Sequence, residues 1–243
     1  MTSIIEANNL EFNWPNSTFK LLIEQLSVYQ GDKIFIQGAS GCGKSTLLSL
    51  LSGVNKASKG TLSVFDSELS SMSSGQRDRF RADHIGIIFQ QFNLLPYLST
   101  LENVLLACEF SPARKKRVLN KAKSLEQEAK RLLSHLEISG NTLLQKPVNQ
   151  LSVGQQQRVA AARALIGSPE IIIADEPTSS LDADRCDAFM RLLIQETQAC
   201  NASLLFVSHD ERLQTHFDRS LKLYLDNTTN IATLISSLVS KEQ

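Results

Sequence analysis

Ile34-Phe35-Ile36-Gln37-Gly38-Ala39-Ser40-Gly41-Cys42-Gly43-Lys44-Ser45-Thr46 orders the reading of the whole chain. From Gly38 to Ser45 it matches G-x-x-x-x-G-K-[ST], a pattern that carries weight only between a strand and a helix. Both flanks are present. Ile34–Gln37 reads as a short apolar strand after the turn pair Gly31-Asp32. A helix is predicted from Lys44, with Leu47, Leu48, Leu50 and Leu51 on its inner side and Gly53 just past its end. Glycines let backbone N–H groups curl around phosphate oxygens, and a helix start adds a field that favours negative charge. Gly38, Ala39, Ser40, Gly41, Cys42, Gly43, Lys44, Ser45 and Thr46 are therefore the expected phosphate cradle. Lys44 would reach the β- and γ-phosphates of a nucleotide, and the Ser45 hydroxyl would ligate Mg2+. The Cys42 thiol is given no role. A chance glycine-rich turn is the bland alternative, and the flanking elements outweigh it.

Working outward, Ile171-Ile172-Ile173-Ala174-Asp175-Glu176 is an apolar strand ending in two adjacent acids. A strand end would bring Asp175 near the phosphate loop, to hold Mg2+ through a water, and leave Glu176 to orient and polarise an attacking water. Ile4–Trp14, Thr61–Phe65, Ile85–Phe89 and Leu204–Val207 read as further strands, and Pro15-Asn16-Ser17 as a turn. Residues 96–136 read as helix, broken at Ser111-Pro112. Ala113–Lys123, rich in Lys and Arg, reads as a solvated helix face. Ser152 can cap a helix from Val153 to Ile166, closed by Gly167 and Pro169. Cys186, Phe189, Met190, Leu193 and Ile194 recur at helical spacing between the last two strands. Strands alternating with helices predict a mainly parallel sheet with helices on its faces.

Composition narrows the classes. The 243 residues carry 25 Lys+Arg against 25 Asp+Glu, a balance that offers no global attraction to nucleic acid or anionic lipid. Met1–Glu6 lacks the basic-then-apolar order of a signal peptide. The longest apolar run, Val104–Cys108, is far short of the roughly 20 residues of a membrane span. Work at a membrane would need a partner. Cys42, Cys108, Cys186 and Cys200 lie far apart with no CxxC pair, which suggests reduced thiols rather than a zinc site or disulfide framework.

Leu151-Ser152-Val153-Gly154-Gln155, followed by Gln156-Gln157-Arg158, resembles the signature motif of the ABC ATPases, usually LSGGQ. Gln90, in Phe89-Gln90-Gln91-Phe92-Asn93, matches that family's Q-loop glutamine. Ser179-Ser180-Leu181-Asp182 matches its D-loop, His209 its switch histidine, and Trp14 falls where it has an aromatic that stacks on adenine. Phe12 is the competing aromatic, and a lone histidine after a strand is ordinarily a surface residue; the order of the motifs favours the functional reading. The likeness covers essentially the whole chain. It implies an α/β fold, with a P-loop NTPase (RecA-like) core built on a mainly parallel sheet, an antiparallel β subdomain and a helical side lobe. The single domain, 1–243, would divide into a core of about 1–90 and 156–243 and a lobe of about 91–155.

The resemblance also implies the chemistry. ATP and Mg2+ are the expected cofactors, with Ser45, Gln90 and Asp175 at the metal and Glu176, His209, Gln90 and Lys44 as catalytic groups. Ser152, Gly154, Gln155 and Asp182 would join the nucleotide site, which in this family is shared across a head-to-tail, ATP-dependent homodimer. Physics supports the signature independently: Ser152 and Gly154 stand at a helix start, where unpaired N–H groups suit an anion. Val153 departs from the family's glycine, so ordinary helical or extended backbone is expected there. Residues 89–104 and 149–158 look most like the lipoprotein-release and macrolide-efflux branch, with its LolD, MacB and FtsE subunits. That branch implies integral-membrane permease partners of the FtsX/MacB type, a peripheral place on the cytoplasmic face of the inner membrane, and no nucleic acid. An amino-acid-type importer motor is the alternative within the family, though the short tail after Asp226 leaves no room for a sizeable regulatory domain. Soluble ABC proteins of translation would carry two cassettes. Chromosome ATPases would carry a coiled coil or zinc modules, and neither sustained heptads nor CxxC pairs occur from Gly53 to Leu151.

Overall fold

In the computed structural model, which describes residues 3–237, the chain opens with antiparallel strands β1 (Ser3–Asn13) and β2 (Lys20–Tyr29). Ile5, Ala7, Leu10 and Phe12 point inward along β1, in the loose alternation of a half-buried strand. There follow β3 (Lys33–Gln37), α1 (Lys44–Leu51), β4 (Lys59–Val64), β5 (Ser67–Glu68), α2 (Ser74–His84) and β6 (Ile85–Ile88). A helical stretch comes next: α3 (Thr100–Glu109), α4 (Pro112–Leu119), α5 (Leu125–His135), α6 (Asn141–Leu144) and α7 (Val153–Leu165). The chain continues with β7 (Ile171–Asp175), α8 (Ala183–Ala199), β8 (Ser203–Val207), β9 (Arg219–Asp226) and β10 (Ile231–Ser237). Two compact units result, one from Met1–Arg81 with Ser203–Gln243 and the other from Ala82–Ala202.

In the first unit the strands run in the order β5-β4-β1-β2-β10-β9-β3-β8. Pairings around β1 are antiparallel, whereas β3 lies parallel to both β8 and β9. The expected antiparallel part and parallel centre are thus both present. Ile34, Phe35, Ile36 and the whole run Leu204–Val207 are buried, the unbroken apolar pattern of strands covered on both faces. Phe217 packs its ring against Phe35 and Phe206 at 5.4 and 5.3 Å.

In the second unit β6 lies parallel to β7, and α7 carries the fully buried Val159, Ala160, Ala161 and Ala162. A Cβ added at Gly86 in β6 would stand 2.2 Å from the Ala164 carbonyl oxygen, so strand and helix meet backbone to backbone. The predicted break at Ser111-Pro112 is present: the Ser111 hydroxyl caps α4 and Pro112 opens it.

The basic stretch needs correction. Lys115 and Lys116 are solvated, but Arg114 is buried, its guanidinium donating to the carbonyls of Ala164 (3.1 Å) and Ile166 (3.3 Å). Arg117 donates to the Gly167 carbonyl at 2.7 Å. The last carbonyls of a helix have no partner within it, and here two arginines of α4 supply one for the end of α7. Burial draws the Arg114 pKa down to about 10. Among the described residues no helix is long and apolar enough to cross a membrane.

Candidate functional site

The phosphate loop starts where β3 ends. A Cβ on Gly38 would fall 2.6 Å from the Cys42 sulfur and 2.7 Å from the Leu223 carbonyl oxygen, so only glycine fits. Gly43 has a φ of 101° and faces the Phe19 ring, which a Cβ there would approach to 2.6 Å. This left-handed residue turns the chain into α1 and, having no side chain, offers the helix start no side-chain cap. The Lys44 ammonium donates to the carbonyls of Gly38 (2.9 Å) and Ala39 (3.1 Å), which holds the cation over the loop it would serve. Ser45 is exposed at the second helical position, and the Cys42 thiol is buried against Gly38.

Trp14 follows β1, and its indole N–H donates to the Thr46 hydroxyl at 3.3 Å. Phe12 is buried and meets Trp14 edge-on at 5.0 Å. Of the two candidate aromatics, Trp14 is the one with an open face, being 43% exposed. His209 is exposed after the buried Ser208 at the end of β8. Beside it, a hydrogen bond from Arg212 holds the Asp210 carboxyl below the usual carboxylate range.

In the second unit, Asp175 is the last residue of β7 and Glu176 turns away at a φ of 45°. A non-glycine residue in that region is uncommon and strained, a state that recurs where function fixes a side chain. Asp182 caps α8 by accepting from the Arg185 N–H at 3.0 Å. Ser152 caps α7 in a reciprocal box with Gln155, each side chain accepting from the other's backbone N–H. Val153 is the first helical residue and half exposed, in the ordinary backbone expected of it. A Cβ on Gly154 would meet only Leu181, at 3.8 Å, so the signature stretch and the Ser179–Asp182 segment are neighbours.

Gln90 is exposed on a tight turn that the sequence left open. Phe92 and Asn93 take φ of 59° and 49°, and their carbonyls accept from Arg163 of α7 at 2.6 and 2.7 Å. Further along, the fully buried Asn103 accepts from the Leu95 N–H and donates to the carbonyls of Leu95, Leu98 and Ser99. Sequence reasoning missed Phe19, Asn103 and Arg163. Only Arg163, a cation in the last turn of a helix, carried a local signal.

Residues 24–179 match the family model described as ABC transporter. The chain is 37% identical over 223 residues to the lipoprotein-releasing system ATP-binding protein LolD of Hydrogenovibrio crunogenus, covering 90% of this chain and 93% of that one. It is 39% identical over 198 residues to the macrolide export ATP-binding/permease protein MacB of a Shewanella species, covering 82% of this chain but 29% of that longer protein. Among solved structures, it is similar to a dimeric ATP-binding cassette in a post-hydrolysis state bound to ADP and Pi. The TM-score is 0.77 at 28% identity, covering 94% of this chain and 96% of that one.

Proposed function

This chain belongs to the ABC transporter family, and on that premise we propose that it is the ATP-hydrolysing motor of a membrane machine of the lipoprotein-release or macrolide-efflux kind. One observation carries the reading: a single chain holds two helix starts suited to phosphate, the loop 38–46 before α1 and the Ser152-capped start of α7. In a head-to-tail homodimer each ATP lies between the first of one chain and the second of the other. The core is then about 1–90 and 156–243, and the lobe about 91–155.

Hydrolysis is an in-line attack of water on the γ-phosphorus. The new P–O bond forms as the bond to the β–γ bridging oxygen breaks; ADP leaves, and the water's proton passes to the base and on to solvent. Glu176 orients and polarises the water, and His209 steadies the γ-phosphate. Lys44 and the partner's signature helix offset charge gathering on the transferred group. Trp14 stacks on adenine, Gln155 supports the Ser152 cap, and Asp182 borders the shared site. The hydroxyl of Ser45, the amide oxygen of Gln90 and, through water, the carboxylate of Asp175 are the hard oxygen donors that suit Mg2+. Bound there, the ion would supply positive charge that offsets the charge of the phosphates.

The signature stretch can be tested by two substitutions. Ser152→Ala removes a cap and a phosphate contact, and is expected to lower ATP turnover at least about 10-fold, whereas Val153→Gly costs under about 1 kcal/mol of helix-start flexibility and changes turnover little. Equal losses in a phosphate-release assay would mean that different atoms meet the nucleotide.

The partner is proposed to be a permease of the FtsX/MacB type, which would hold the chain at the cytoplasmic face of the inner membrane. Tyr97 is 75% exposed on the segment pinned by Asn103, a few residues from Gln90. That suits an anchor for a short cytoplasmic helix. Tyr97→Glu is expected to weaken co-purification with the permease about 30-fold, the cost of a typical hot spot, while the isolated subunit still turns over ATP. Undiminished co-purification and transport would move the docking site elsewhere. The primary test of the whole reading is Mg2+-dependent ATPase of the purified chain with ATP-dependent dimerisation; no turnover with or without the permease would overturn it.

A further inference from the structure

We propose that Arg163 is a positioning residue that ties the Gln90 turn to the helix presenting Ser152, so that displacement of Gln90 is transmitted along α7 to the signature end. The inference rests on the reading of Gln90 and Ser152 as nucleotide-facing groups.

The guanidinium sits in the last turn of α7, about three turns from Ser152. Its two terminal nitrogens divide between two adjacent carbonyls: Nη1 donates to Asn93 and Nη2 to Phe92. Those carbonyls belong to consecutive left-handed residues, a conformation that side chains disfavour and that needs outside support. The turn is tight as well, with the Phe92 N–H on the Phe89 carbonyl (2.9 Å) and the Asn93 N–H on the Gln91 carbonyl (2.6 Å). Gln90 is enclosed by these bonds. Beyond the turn, Asn103 fixes residues 95–99, so slack on that side cannot absorb a displacement.

Among the described residues Arg163 makes no ion pair that would explain it otherwise. Burial is the influence that lowers its pKa, and both acceptors are main-chain oxygens. A planar fork can span two adjacent carbonyls at once; an ammonium is a single point of donation. The α-helix between the two ends is a stiff connector. Motion entering at Phe92 and Asn93 therefore reaches Ser152 with little loss.

Arg163→Ala should lower kcat by about 10- to 100-fold, the penalty for small misplacement of reacting groups, with ATP affinity changed by less than about threefold. Millimolar guanidinium should restore part of the rate in Arg163→Ala, and Arg163→Lys should fall between the two. In a double-mutant cycle, adding Arg163→Ala to Gln90→Ala should cost little further, because both act on one path. Additive losses, no guanidinium rescue in a folded Arg163→Ala protein, or parallel falls in ATP affinity and kcat would overturn the proposal. Wild-type ATPase and an impaired Gln90→Ala would still stand in that case, which separates this failure from failure of the underlying reading.

Discussion

Glu176→Gln is expected to lower ATP turnover by about 10²–10⁴-fold while ATP remains bound. Glutamine keeps the volume and the position after β7, where the backbone is held at a φ of 45°, and removes only the charge that accepts a proton from the attacking water. Alanine would be the poorer test, since it changes packing at a strained residue. Because ATP bridges two chains in the proposed cycle, a protein that binds without hydrolysing should accumulate as a dimer. Light scattering with saturating ATP reads this directly. A variant with full turnover would remove Glu176 from the mechanism, and one that stays monomeric in ATP would remove the shared site from the isolated subunit.

Loss of Lys44 should be as severe for a different reason. In Lys44→Ala the cradle keeps its glycines and its N–H groups but loses the cation that the Gly38 and Ala39 carbonyls hold in place. Turnover should fall by at least about 10³-fold, as expected when the electrostatic term of phosphoryl transfer is withdrawn. Fold should survive: the cost of losing charge-assisted bonds of this kind is about 1.5–3 kcal/mol, well within the stability of a domain of this size. Nucleotide titration by calorimetry, with circular dichroism as a control, separates lost binding from lost structure. Turnover at the unmodified rate would refute the assignment of the phosphate site.

Much of this was legible in one dimension wherever the determinant is local. The strand before Gly38, the helix from Lys44 and the capped helix from Ser152 each depend on neighbours in sequence, and each lies where it was expected, to within a residue or two. Helix α2 was not, because none of its residues is buried and it offers no apolar period to read. Strands β9 and β10 gain definition from pairing with each other, and β10 runs partly along β2, a choice no local pattern dictates. Arginines fared worst. Arg114, Lys115 and Lys116 look alike in sequence, yet only the first is buried, because the carbonyls it meets belong to residues fifty positions away. Arg163 could be noticed as a helix-end cation, but its acceptors come from a turn seventy residues earlier.

The close meeting of Gly86 with Ala164 bears on how such chains can be recombined. With main chain against main chain, and only the Ile172 side chain alongside, little can shrink or swell in compensation. A chimera that imports α7 from another cassette without its own β6 therefore has little local remedy for even a small mismatch. The transferable piece is the strand and helix together, and libraries built by shuffling should find their viable crossovers outside that pair rather than between its members.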